Sequence, residues 1–287
     1  MKIFLTGARG QVGWELQRTL ATLGTVAAPT RQQLDLTDAA ALRQYLRDLK
    51  PDLIVNPAAY TAVDKAETEP DLARAANALA PAVMAEEAAR LGASMVHYST
   101  DYVFDGSKTG AYVETDAASP LGVYGKTKLE GEAAVIASGI PHLILRTSWV
   151  YGMRGANFLL TMQRLFKERD QLNIVADQFG APTWARMIAE ATAQILVQKP
   201  FSRERNSSGI YHLTNRGTTT WHAFASAILA RTPLPEGKKI VLHPIPASQY
   251  PTPAQRPANS VLAGDKLHET FGIALPDWES ALELCTG

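Results

Sequence analysis

One cysteine in 287 residues, Cys285, leaves no internal disulfide to form, which fits a reducing compartment rather than a disulfide scaffold. Neither charge is in excess, with 28 Lys+Arg against 28 Asp+Glu, so the balance makes no case for nucleic acid or an anionic membrane as partner. No apolar run approaches the ~18 residues of a membrane-spanning helix. Met1-Lys2 leads directly into Ile3-Phe4-Leu5, leaving no room for a signal peptide. The six histidines (His97, His142, His212, His222, His243, His268) are scattered without ligand-like spacing, which argues against a histidine-built metal site. No internal repeat or low-complexity tract is visible. These absences predict a cytoplasmic chain, long enough for one large α/β domain or for a core domain with a smaller lobe.

What is present is concentrated first in MKIFLTGARGQVGWE. An apolar run meets Gly7, Gly10 and Gly13 and then a helical pattern, predicting a strand, a glycine turn and a helix start. The unpaired N–H groups and positive dipole end of such a helix favour a pyrophosphate. Gly7 would permit the turn, Gly10 the approach of the diphosphate, and Gly13 close packing of helix on strand. A glycine-containing loop with no ligand is the plainer alternative.

Further along, Gln11–Leu23 reads as an amphipathic helix and Thr25–Ala28 as a short strand. The residues after that strand would meet the adenosine ribose, where a basic group suits a 2′-phosphate and an acid suits a free hydroxyl. Pro29-Thr30-Arg31 offers no carboxylate before Asp35, which leans towards NADPH over NADH; Arg31 as a merely solvated cation is the alternative. A helix from near Asp38 to Leu49, capped by Thr37, follows. Next come a strand at Leu53–Asn56 and an alanine-rich helical region interrupted around Pro70 and bent at Pro81. A strand at Ser94–Ser99 completes four strand–helix alternations. These predict a Rossmann-like, doubly wound parallel sheet covered on both faces.

Thr100 ends that fourth strand, where ligands of such sheets sit. Its hydroxyl is placed either to donate to a substrate carbonyl or to cap its own loop. Tyr124 and Lys128 stand four apart on a helix opening near Pro120, so both project from one face. An ammonium beside the phenol would lower its pKa from about 10 and poise it to exchange a proton. Leu143–Gly152 reads as a fifth strand, with Trp149 either in the core or on a pocket wall. Helices over Asn157–Arg169, Thr183–Val197 and Thr220–Arg231 and strands at Leu172–Val175 and Ile210–Thr214 follow, with a polar surface loop at Gln198–Ser208. Pro233–Pro257 holds seven prolines and one strand-like run, Ile240–Leu242. It suits an irregular lobe over a substrate, with Arg256 facing an anionic group. The expected division is a dinucleotide-binding domain at 1–150 with returns over roughly 172–232, and a smaller substrate-binding lobe at 151–171 and 233–287.

The blocks GARGQVGWELQ, VNPAAYTAVDKAE, VHYSTDYVFDG, SPLGVYGKTKLEGE, LRTSWVYG, DQFGAPT and RPANSVL occur in order across nearly the whole chain. Together they resemble the dTDP-4-dehydrorhamnose reductases, extended members of the short-chain dehydrogenase/reductase superfamily. The resemblance implies reduction of a nucleotide-linked 4-keto sugar by NADPH or NADH, with Tyr124 as proton donor, Lys128 as its partner and ribose ligand, and Thr100 orienting the keto oxygen. It implies a pyrophosphate loop at Gly7, Gly10, Gln11, Val12 and Gly13, an adenine contact at Asp35-Leu36, and a ribose and nicotinamide wall at Ala59, Tyr60, Thr61 and Tyr98. Thr61, Val63, Thr100, Asp101, Tyr124 and Trp149 match positions that line the sugar-nucleotide site. Thr30-Arg31 departs from relatives that carry an acid after the second strand. Some relatives form metal-bridged dimers; the resemblance admits a homodimer here, and no metal site is assigned. Two other readings stay open: a non-catalytic dinucleotide-binding regulatory subunit of the methionine adenosyltransferase type, and an epimerase or dehydratase acting on nucleotide sugars.

Overall fold

Five strands carry the chain through its first half: β1 (Lys2–Leu5), β2 (Thr25–Ala27), β3 (Leu53–Asn56), β4 (Ser94–Thr100) and β5 (His142–Thr147). Successive side chains on a strand point to opposite faces, and here both sets are apolar. Ile3, Leu5, Val55, Val96, Leu143 and Leu145 enter one core, closed by Leu16 and Leu20 of the helix Gln11–Ala21 and by Ile188 and Ile195 of the helix Ala185–Val197. Phe4, Ile54, Met95 and Ile144 enter the other, closed by Leu42 and Leu46 of Ala39–Leu49 and by Val83, Met84 and Ala88 of Ala80–Leu91. The computed structural model, which describes residues 1–202 and 205–287, is therefore a three-layer α/β/α sandwich around a parallel sheet.

The sheet order is Gly209–His212, β5, β4, β3, β1, β2. β1 thus has β2 on one side and β3 on the other, both parallel to it. The direction in which strands are laid down reverses there, and such a switch leaves a crevice beyond the carboxyl ends of the strands.

Several elements differ from expectation for local reasons. Asp38, not Thr37, caps the second helix: its carboxylate accepts from Ala41 N, while Thr37 is bound to Asp35. The alanine-rich region divides into Val63–Ala66, Pro70–Arg74, a wide π-type turn Ala75–Leu79 and Ala80–Leu91. Pro70 begins its helix rather than breaking it, since the first helical residue needs no N–H. The wide turn ends two residues before Pro81, whose missing N–H removes one helical hydrogen bond. The expected strand over 143–152 splits: β5 stops at Thr147, Trp149 takes a φ of 46°, and Val150–Tyr151 pairs with Thr183–Trp184.

The second lobe is also made up differently. Gln171–Val175, expected to return to the main sheet, pairs in parallel with Val241–Ile245 instead. The helices Phe158–Glu168, Trp221–Ala230 and Trp278–Thr286 build a separate core with them around Phe166, Ile174, Phe224, Ile228, Trp278 and Leu282. Pro244 is accommodated because its strand has one partner among the described residues, leaving its other edge free of a ladder. Conversely, Leu267, Phe271, Ile273 and Leu275, assigned to the lobe by sequence, pack into the core of the main sheet. Residues 203 and 204 of the expected surface loop lie outside the described residues.

Candidate active site

β1 ends at Leu5 and the next helix begins at Gln11, so the chain turns through five residues. Gly7 does so with φ 60°, so close to β3's exit that a Cβ would lie 3.1 Å from Ala58 N, and its carbonyl accepts from Gly10 N at 2.8 Å. A Cβ on Gly13 would fall 2.1 Å from the Gly7 oxygen. The helix therefore starts against the strand end, and Gly10, as its N-cap, brings no side chain into the space in front.

That space is a cavity of about 660 Å³ at the switch between β1 and β3. Gly7, Gly10, Gln11, Val12 and Gly13 line it at one end, Arg31, Asp35 and Leu36 beside β2, and Ala59, Tyr60, Thr61, Tyr98, Tyr124 and Lys128 towards β4. These are all the residues expected to hold a dinucleotide, and the bare glycine cradle fits a diphosphate. Gly13→Ala has no room for its methyl against backbone; forcing it in costs on the order of 1–3 kcal/mol. NADPH binding is expected to weaken at least about tenfold, read by cofactor fluorescence titration; unchanged affinity would show that the turn tolerates displacement.

Tyr124 and Lys128 lie on the helix Val123–Ala137, which has no side-chain cap of its own. Glu67, from the loop after Val63–Ala66, supplies one by accepting from Val123 N at 2.8 Å. Two glycines let the helix sit close: a Cβ at Gly125 would be 2.1 Å from Tyr102 O, and one at Gly131 2.2 Å from Asn77 O. Asn77, fully buried in the wide turn, accepts from Tyr60 N at 2.8 Å and donates to Thr127 Oγ1 at 3.2 Å. One amide side chain thus joins the cavity wall to the tyrosine's helix.

The Tyr124 ring meets Tyr102 edge-on at 5.7 Å. Contrary to the lowering expected from its lysine neighbour, burial pushes the Tyr124 phenol up to about 12; the Thr100 hydroxyl opposes this and Asp101 adds to it. Lys128 is itself buried, donates to Tyr98 O at 2.6 Å, and is brought down to about 8 by burial, with Glu132 opposing. Spacing placed the two groups together, but desolvation governs both. Of the two roles read for it, Thr100 fills that of the loop cap, its Oγ1 accepting from Tyr102 N at 3.2 Å, and it lies beside Tyr124. It also donates to Asp101 Oδ1 at 2.9 Å, and burial raises that carboxyl to about 7.

The remaining expected substrate residues lie outside the cavity lining, with Thr61 and Tyr124 bridging to it. Val63 starts a short helix whose Asp64 pairs with Arg256 at 2.9 Å. Arg256 is thus anchored rather than loose, and its Nη1 has no hydrogen-bond partner among the described residues. Trp149 stacks on Trp221, with centroids 3.5 Å apart and planes 7° apart, over Gly180. No group of three His, Cys, Asp or Glu that could hold a metal ion occurs among the described residues, and no described helix is long and apolar enough to cross a membrane.

The family model for the RmlD substrate binding domain matches residues 1–286. The chain belongs to that family. It is 52% identical to the dTDP-4-dehydrorhamnose reductase of Burkholderia thailandensis, over 99% of this chain and 98% of that one. Against the Escherichia coli K12 reductase it is 46% identical over 97% and 95%. Among solved structures, a dTDP-4-dehydrorhamnose reductase of Clostridium acetobutylicum matches with a TM-score of 0.91 at 38% identity, covering 99% of this chain and 98% of that one. The Bacillus anthracis reductase in complex with NADP matches at 0.89 and 33%, with the same coverage.

The RmlD-family site holds residues that sequence reasoning passed over. Arg9, in the glycine turn, lines the cavity as Arg31 does, and Gly155 and Ala156 line it from the loop after Tyr151. Asn77 and Glu67 gave no signal, since their partners are 50 and 56 residues away. Thr6, Asn56 and His97 form a buried polar row across β1, β3 and β4 that ends at Lys128.

Proposed function

We propose that this chain reduces the 4-keto group of dTDP-4-dehydro-L-rhamnose with NADPH or NADH, giving dTDP-L-rhamnose. What carries the reading is the meeting, in one cavity, of the glycine cradle with the Tyr124–Lys128 helix, and Thr100 at its edge. When bound, a reduced nicotinamide dinucleotide supplies the hydride. The helix-start amides of Gln11 and Val12 hold the diphosphate. Tyr124, whose raised pKa keeps it protonated at neutral pH, gives its proton to the oxygen that the hydride turns into an alkoxide. Thr100 orients that oxygen, and Lys128 fixes the ribose side of the cavity. Val63, Asp101, Trp149 and Arg256 face the nucleotide sugar. A cytoplasmic location, supported by the single cysteine, and a homodimer belong to the same reading; sedimentation velocity tests the latter. A regulatory subunit has no use for a proton donor, and Thr100 is followed by one acid, Asp101, where dehydratases carry a pair.

The test is oxidation of NADPH and NADH, followed by absorbance, with enzymatically generated dTDP-4-dehydrorhamnose. Cofactor binding without turnover on this substrate would sink the reading. Cofactor choice adds a prediction: Arg31 is exposed and only loosely paired to Asp35 at 3.6 Å. Arg31→Ala is expected to weaken NADPH by roughly tenfold and NADH little, the effect of one charge-assisted phosphate contact. Equal losses for both cofactors would remove Arg31 from the 2′-phosphate.

A further inference from the structure

Between Val150–Tyr151 and the helix Phe158–Glu168 the chain leaves the second lobe and lies against the first helix of the dinucleotide domain. Its amides can be oriented bond by bond. Asn157 Oδ1 accepts from Leu160 N at 3.1 Å, capping the helix Phe158–Glu168, so its Nδ2 faces the other way. The two Nδ2 hydrogens then serve Gly152 O at 2.8 Å, Gln11 Oε1 at 2.9 Å and Arg154 O at 3.2 Å. With its oxygen accepting, Gln11 turns its own Nε2 to Val150 O, 3.2 Å away.

Two further contacts press this loop onto the helix. The Arg154 guanidinium lies 3.6 Å from the centre of the Trp14 ring, about one turn on from Gln11. Gly155, at a φ of 78°, passes so near that a Cβ there would be 3.4 Å from Gln11 Cγ. Gly155 and Ala156 line the same cavity as Gly10, Gln11 and Val12, so a ligand laid along the glycine turn has the helix start on one side and the loop on the other. We propose that residues 152–157 form a clasp over the cofactor diphosphate, with Asn157 and the Gln11 amide as the positioning residues that hold it shut and so set how fast the dinucleotide leaves. Gln11 serves twice: its backbone N–H is among the helix-start donors that favour the diphosphate, and its side chain ties down the loop beside it. Arg31, beside β2, is not part of the clasp, which therefore acts alike on a cofactor with or without the 2′-phosphate.

The clasp rests on the reductase reading for its cofactor alone, and its test needs no turnover. Protein loaded with NADPH, and separately with NADH, is mixed in a stopped-flow instrument with excess NADP⁺, and the loss of bound-nicotinamide fluorescence gives the dissociation rate. Asn157→Asp keeps the helix cap, since aspartate serves there as well as asparagine. It sets a carboxylate oxygen against Gln11 Oε1, Gly152 O and Arg154 O, where no hydrogen remains to share. Release is expected to quicken about tenfold, the effect of leaving such acceptors unmatched, and by the same factor for both cofactors. Gln11→Ala keeps the backbone amide and frees the loop from the other side, so the two substitutions together should add little to either alone. An unchanged rate in Asn157→Asp overturns the proposal, as does a rise confined to NADPH; should that variant not fold, an unchanged rate in Gln11→Ala does so. A side chain serving stability alone would lower the urea midpoint and leave release as it was. A parent protein that binds neither cofactor would bring down the reductase reading itself, and the clasp with it.

Discussion

Tyr124→Phe is expected to bind NADPH as the parent does and to lose turnover by roughly 10²–10⁴-fold, the range supplied by one positioned proton donor. The ring has its own reasons to stay in place: it packs edge-on against Tyr102, on a helix capped by Glu67 and seated by Gly125 against Tyr102 O. Phenylalanine keeps those contacts and removes only the hydroxyl. Because burial holds the phenol up at about 12, its acid form persists across the neutral range, so the parent's Tyr124 proton should not be lost as pH rises from 6 to 8. Stopped-flow NADPH oxidation, with cofactor affinity from fluorescence, separates the two effects. Turnover within about fivefold of the parent would make another group the donor.

The second large effect falls on stability. Arg146 of β5 and Glu132 form a bidentate pair, 2.9 Å at Nε and 2.7 Å at Nη2, with both side chains almost wholly buried. The guanidinium lies over the Phe104 ring at 5.1 Å, and its Nη1 has no partner among the described residues. Removing the carboxylate strands a cation in the core. Glu132→Ala should cost about 3–5 kcal/mol, while Glu132→Leu with Arg146→Met should recover most of it, since apolar groups of similar volume need no desolvation. Urea unfolding reads both. A loss under about 1 kcal/mol in the single variant would mean that water already reaches the pair.

Legibility followed physical locality. β1 and β3 stood out because burial on both faces makes them nearly continuous apolar runs, and β4 through Met95, Val96 and Tyr98 despite the buried His97 and Ser99 among them. The glycine turn stood out because no other residue fits backbone that close, and Tyr124 with Lys128 because four residues make one helical turn. What escaped depends on distant partners. Gln171–Val175 and Val241–Ile245 look alike whether they join the main sheet or each other. Asn77, Glu67 and His97 matter only through contacts that folding creates. The direction of the Tyr124 shift escaped for a related reason: spacing reports who is near, not how much water is left.

Trp149 has a consequence of another kind. A bulky residue held at a φ of 46° is uncommon, and here the indole is pinned between Gly180 and Trp221, stacked nearly parallel to the latter at 3.5 Å. Two chromophores in that relation share their excited states. The near-ultraviolet circular dichroism of this chain therefore carries a signature of one specific pair of rings, so the stack of Trp149 on Trp221 is an intrinsic optical reporter of its part of the fold, with no label to add.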